Sequence, residues 1–206
     1  MRLDEAKKDL YRRLAKEQGY KSRAAFKLIE ANEKYRFIKN GDLVIDFGSA
    51  PGGWLQVCSG LIGARGLAVG VDLAAVHLKE KNVKTLTLNV HDPSVVDSLL
   101  AVTGRKADVV LSDLSPTLTG VWELDHTRQV DLTFRVLDLS EMLLRKGGNA
   151  FFKAFDGERS LEVRARLRSS FAFARPYKPP ASRRASSELY FYCEGWRGSG
   201  APETTP

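Results

Sequence analysis

The apolar run Leu43-Val44-Ile45-Asp46-Phe47 empties directly into Gly48-Ser49-Ala50-Pro51-Gly52-Gly53-Trp54, and this junction constrains the fold more than any other stretch of the chain. A short strand ending in clustered glycines lets the backbone approach a ligand closely. Gly53-Trp54-Leu55-Gln56-Val57 then opens a helix whose first amides have no intrahelical partner. A second apolar run, Leu67-Ala68-Val69-Gly70-Val71, ends on Asp72, roughly 20 residues past the glycines. There a doubly wound sheet places a carboxylate to accept hydrogen bonds from ribose hydroxyls.

Three readings of this turn differ in their ligand. The order Gly48, Gly52, Gly53 with Pro51 inside departs from the G-x-G-x-x-G spacing of a dinucleotide site. S-adenosylmethionine fits better, because its adenosine needs a carboxylate and an apolar slot while its amino-acid end needs backbone donors and acceptors. A tight strand-to-helix connection without any ligand is the third reading.

The remaining chain alternates. Strands are predicted at Leu43–Phe47, Leu67–Asp72, Thr85–Val90, Ala107–Ser112, Asn149–Phe155, Phe171–Pro176 and Leu189–Cys193, with helices near 53–62, 94–103, 127–146 and 159–169. Such alternation argues for an α/β fold with a largely parallel sheet and helices on both faces. Upstream, Asp4–Gln18 is an amphipathic helix or basic arm ended by Gly19, and Ser22 is expected to cap a second helix. With 206 residues, 43% of them hydrophobic, the chain is expected to form one domain over residues 1–195, with a helical arm over about 1–39. Residues 196–206, rich in Gly, Thr and Pro, are expected to be a disordered tail.

No run approaches the roughly 20 apolar residues needed to cross a bilayer, and the N-terminus is polar, so a cytoplasmic protein is expected. It is further expected to be a monomer. Cys58 and Cys193 read as buried reduced thiols, and His77, His91 and His126 lack metal-ligand spacing, so no metal is expected. Charge is unevenly spread. Residues 1–39 hold 12 Lys and Arg against 6 acids, residues 40–157 hold 11 against 14, and residues 158–206 hold 9 against 5. An acidic middle between two basic ends points to a polyanionic partner, most simply nucleic acid. The N-terminal cations are Lys7, Lys8, Arg12, Arg13, Lys16, Lys21 and Arg23, and Arg175, Lys178, Arg183 and Arg184 form a second basic rim.

In a sheet of this kind ligands sit outside the carboxyl ends of the strands. Asp72 and Asp113 end strands, and Lys153 lies within Ala150-Phe151-Phe152-Lys153-Ala154-Phe155. Burying that ammonium among phenylalanines is costly without a partner. Taken with Ser22-Arg23-Ala24-Ala25-Phe26-Lys27-Leu28, Ser112-Asp113-Leu114-Ser115-Pro116 and Ser182–Tyr190, these residues make the chain resemble the FtsJ/RrmJ family of RNA ribose 2′-O-methyltransferases from about Tyr20 to Gly195.

The resemblance implies a Rossmann-like S-adenosylmethionine-dependent methyltransferase fold with a mostly parallel seven-stranded sheet. It also implies that the family's Lys-Asp-Lys-Glu tetrad falls on Lys27, Asp113, Lys153 and Glu188, with Lys153 as general base, Asp113 orienting it, and Lys27 and Glu188 placing the ribose. Methyl transfer to a hydroxyl needs such a set, since a poor oxygen nucleophile must lose its proton while held in line with the donor. Gly52, Trp54, Asp72, Asn89 and Asp113 match positions that contact S-adenosylmethionine. The adenine contact departs from the family's usual Asp: it falls on Asn89, or on Asp92 if the match slips. The implied substrate is RNA, with a uridine in the A-loop of large-subunit 23S rRNA first, a tRNA anticodon loop second, and a noncatalytic ribosome-assembly role third.

Overall fold

The computed structural model describes residues 3–182 and 186–198. Arg183, Arg184, the side chains of Lys7 and Lys8, and residues 199–206 of the expected tail lie outside the described residues, whereas Trp196, the expected first residue of that tail, ends a strand and is buried. Helices α1 (Leu3–Glu17) and α2 (Ala25–Tyr35) precede the alternating part. There follow β1 (Leu43–Phe47), α3 (Gly53–Ile62), β2 (Leu67–Asp72), β3 (Val83–Thr87), α4 (Val95–Thr103), β4 (Ala107–Ser112), α5 (Trp122–Leu143), β5 (Leu144–Phe155), α6 (Ser160–Ser170), β6 (Phe171–Tyr177) and β7 (Glu188–Trp196).

Seven strands form one sheet in the order β3-β2-β1-β4-β5-β7-β6. Pairing is parallel from β3 to β5, and β7 runs antiparallel to both β5 and β6. Strand β1 reads as an unbroken apolar run, Asp46 excepted, because both sheet faces are covered. Alternate residues sort to opposite sides. Ile45, Phe47, Val69, Val110 and Phe152 pack with α4, α5 and α6, whereas Val44, Ala68, Leu111, Phe151 and Tyr190 pack with α2 and α3.

The order reverses beside β1, whose neighbours β2 and β4 carry the chain to opposite edges. That opens a crevice above their carboxyl ends. The antiparallel β7 adds a second consequence, since its register sets Glu188 against Phe155 and Tyr190 against Lys153. Its first residues therefore arrive where β5 ends.

Several predicted boundaries move. The third strand spans Val83–Thr87 rather than Thr85–Val90, because Asn89 Oδ1 captures the His91 amide at 3.0 Å and turns the chain out of the sheet. The long helix starts at Trp122 and stops at Leu143, where Leu144 already pairs with Ala107. Ser22 caps nothing with its side chain. Its backbone carbonyl accepts from the Ala25 amide at 3.2 Å, and its hydroxyl lies so near Gly53 that a Cβ there would stand 2.4 Å away. No helix among the described residues is long and apolar enough to cross a membrane.

Candidate active site

The site begins at the turn after β1. Gly48 has φ of 81°, and a Cβ on it would lie 2.7 Å from the Leu114 amide nitrogen, so the turn and the segment after β4 touch only because this residue is glycine. The Gly48 amide donates to the Val71 carbonyl at 2.9 Å. Asp72 ties the same turn down, one carboxylate oxygen accepting from the Ala50 amide and the other from the Ala74 amide, both at 2.9 Å.

A cleft of about 510 Å³ opens here, lined by Gly48, Ala50, Asp72, Asn89, Asp113 and Leu114, with Leu73, Leu88, Val90 and Leu132 as apolar wall. These donors fit an adenosine-bearing ligand. Each Asp72 oxygen keeps a further lone pair for a hydroxyl, Asn89 offers an amide edge, and the aliphatic wall suits a flat base. Asp92 is not part of this lining. Its carboxylate accepts from the Ser94 amide at 2.8 Å and the Ser94 hydroxyl at 2.7 Å, which holds its pKa below the ordinary value.

Gly52 and Trp54 are buried and are not among the residues lining this cleft. Gly52 adopts φ of 112° against Val76 and Leu78. The Trp54 indole N–H donates to the Ala24 carbonyl at 2.8 Å, and its ring packs on Phe151 and Tyr190. It thereby fixes the start of α2, the helix that carries Lys27.

Lys27, Asp113, Lys153 and Glu188 come from four different elements and converge. Buried Lys27 ion-pairs with Glu188, and its Nζ also donates to the Tyr190 hydroxyl at 2.9 Å. That hydroxyl lies 2.7 Å from Asp113 Oδ1 and is hydrogen-bonded to Glu188 as well. Lys153 Nζ sits 3.4 Å from Asp113 Oδ1. Tyr190 is thus the hub, a role that reading the sequence missed. Its signal was the two-residue offset from Glu188, which in a strand puts both side chains on one face.

Electrostatics follow from these contacts. Burial opposes ionisation of Glu188, but the ammonium charges of Lys27 and Lys153 and hydrogen bonds from Lys27 and Tyr190 outweigh it and hold the carboxyl below its ordinary value. Burial, then the charges of Asp113 and Glu188, push the Tyr190 phenol far upward, so it stays protonated and serves as a donor. Beneath the cleft, Asp46 is fully buried and neither carboxyl oxygen has a hydrogen-bond partner among the described residues. Burial and the charges of Asp113 and Asp72 push its pKa well up. Among the described residues no cluster of His, Cys, Asp and Glu is arranged to hold a metal, and His126 Nε2 accepts from the Arg159 amide at 3.1 Å.

A doubly wound sheet with a glycine turn, a ribose-type carboxylate and a lysine-bearing polar chain at its switch point defines a methyltransferase of the Rossmann-like class. The chain belongs to the FtsJ-like methyltransferase family, whose model matches residues 20–196. It is 43% identical over 198 residues to the ribosomal RNA large subunit methyltransferase E of Nitrosopumilus maritimus, covering 96% of this chain and 100% of the relative. Among solved structures, it resembles a Plasmodium falciparum protein described as a ribosomal RNA methyltransferase, with TM-score 0.77 and 26% identity over 87% of this chain and 100% of that one. Fibrillarin of Aeropyrum pernix, crystallised with natively bound S-adenosyl-L-methionine, shares the fold at TM-score 0.59 and 16% identity, covering 84% of this chain and 75% of that one.

Proposed function

We propose that this protein transfers a methyl group from S-adenosylmethionine to a ribose 2′-oxygen of ribosomal RNA, at a uridine in the A-loop of the large subunit. The observation that carries the reaction is the position of the Asp113–Lys153 pair. Asp113 lines the 510 Å³ cleft, while Lys153 and Glu188 line a second chamber of about 320 Å³, with Ser115 common to both. One chamber suits the donor and the other the acceptor. When bound, S-adenosylmethionine supplies an electrophilic methyl on a cationic sulfur.

Lys153 Nζ takes the proton of the ribose hydroxyl, and Asp113, 3.4 Å away, fixes where that nitrogen points. Glu188, locked by Lys27 and Tyr190, lines the acceptor chamber beside Lys153 and there helps to place the ribose. Lys27, Asp113 and Glu188 together carry one net negative charge, which stabilises the ammonium formed on Lys153 as it takes up the proton. Ribosomal RNA as acceptor is supported by the names of the relatives and by the basic ends of the chain. The setting we propose is the cytoplasm, with the sheet through Trp196 and its flanking helices acting as one monomeric domain.

The deciding experiment offers labelled S-adenosylmethionine with isolated large subunits, total tRNA or DNA, and Lys153→Ala as control. Label on a ribose 2′-oxygen of the subunits, abolished in the variant, supports the proposal. Label on tRNA alone keeps the chemistry and replaces the substrate.

A further inference from the structure

Beside Lys153 the surface is unexpectedly apolar. Leu118, Val121, Trp122 and Leu124 are all exposed large hydrophobics within seven residues. Trp122 is 43% exposed and, with Leu118, lines the chamber that holds Lys153 and Glu188. Its ring is already one plane of a ladder, lying 6.0 Å and 20° from Phe155 and 5.5 Å and 23° from His126. The segment is held in place by Asp125, whose carboxylate accepts from the Thr119 amide and hydroxyl at 2.8 Å and the Gly120 amide at 3.1 Å.

We infer that Trp122 is the stacking platform for the nucleobase of the acceptor nucleotide. The inference rests on the proposed reaction, because it takes the chamber beside Lys153 as the acceptor site. A ribose seated against Lys153 and Glu188 carries its base a bond away, and the half-exposed aromatic ring lining the same chamber is the Trp122 indole, with Phe155 and His126 stacked near it. Aromatic planes hold bases by stacking without regard to hydrogen-bond pattern, so Trp122 sets affinity and position rather than base identity. The chamber volume, about 320 Å³, is enough for one small-molecule-sized group.

The test has two arms. Trp54 and Trp196 are buried at 3% and 4% exposure, so contact quenching of tryptophan fluorescence by RNA reads Trp122. An unstructured mixed-sequence RNA oligonucleotide is titrated into wild type, Lys153→Ala and Trp122→Phe, with binding followed separately by anisotropy of an end-labelled copy. Quenching is expected in the first two and absent in Trp122→Phe. RNA that binds without quenching, or fails to bind, overturns the platform.

In methyl transfer to large subunits at saturating donor, Trp122→Ala should raise KM for the acceptor about 5- to 150-fold, with Trp122→Phe less affected and the donor Kd unchanged in both. An unchanged KM in Trp122→Ala overturns the platform and leaves the reaction standing. Quenching with no methyl transfer by wild type to any RNA does the reverse: the base platform stands and the reaction falls.

Discussion

Tyr190 shows what side chains disclose in sequence and what they conceal. A lysine among phenylalanines is conspicuous because burying an ammonium is costly, and on that ground Lys153 stood out as the odd residue of its strand. A tyrosine in an apolar strand looks like core, and by burial it is core, stacked on Phe151 at 4.9 Å. Only its hydroxyl belongs to the site. Tyr190→Phe keeps the stack and removes the oxygen that joins Lys27, Asp113 and Glu188. Hydrogen bonds to charged groups contribute about 1.5–3 kcal/mol, so kcat should fall about 10- to 100-fold while the donor Kd, measured by calorimetry, stays put. A matching loss of donor binding would mean that Tyr190 supports the cleft rather than the acceptor machinery.

Two carboxyls, half-buried Glu188 and buried Asp46, give opposite pH signatures. For Glu188 the folded pKa is depressed, so its contribution to stability is present above its ordinary value of 4.5 and is lost as pH falls below that through the depressed value. For Asp46 the folded pKa is raised, so stability drains as pH climbs from 3.8 toward that raised value. Asp46→Asn cannot ionise and should flatten that decline in denaturation curves taken across the pH range. A decline of equal slope in the variant would assign it to other groups.

At the level of elements, β1, β2, β4 and the glycine turn were legible because strands buried on both faces leave continuous apolar runs. Edge strand β3, largely exposed, carries no such run, and Leu88-Asn89-Val90 imitated one although Asn89 turns the backbone away. The start of α5 was hidden for a different reason. Asp125 lies inside the first turn and spends its carboxylate on Thr119 and Gly120, so a side chain that resembles helix interior is really the clasp of the preceding loop. Those hydrogen bonds hold its pKa below the ordinary value, so the clasp persists through neutral and mildly acidic pH. Asp125→Ala should speed amide exchange at Thr119 and Gly120 about tenfold or more and leave β1 and β4 amides unchanged. Exchange raised uniformly across the sheet would instead mark Asp125 as a determinant of global stability.

Across the whole molecule the acidic middle, residues 40–157, supplies strands β1 to β5 and the lining of the donor cleft, while the basic excess lies at the two ends, which contribute Lys27 and Glu188 to the site. The arm is docked rather than trailing. Tyr11 donates to Glu30 at 2.6 Å, the same carboxylate accepts from the Ala181 amide at 2.9 Å, and Tyr11 and Tyr20 both pack on Phe26. Turned outward on this brace are Arg12, Arg13, Lys16 and Lys21, a few residues before the helix that delivers Lys27. Contacts of this kind release condensed counterions, and each phosphate neutralised on single-stranded RNA adds about −0.7 to the slope of log K against log salt. Replacing all four by alanine should therefore make the slope shallower by about 3 and weaken RNA binding, without altering the affinity for S-adenosylmethionine. An unchanged slope would move the RNA path away from the arm, leaving the exposed cations Arg175, in β6, and Lys178, just after it, to carry it.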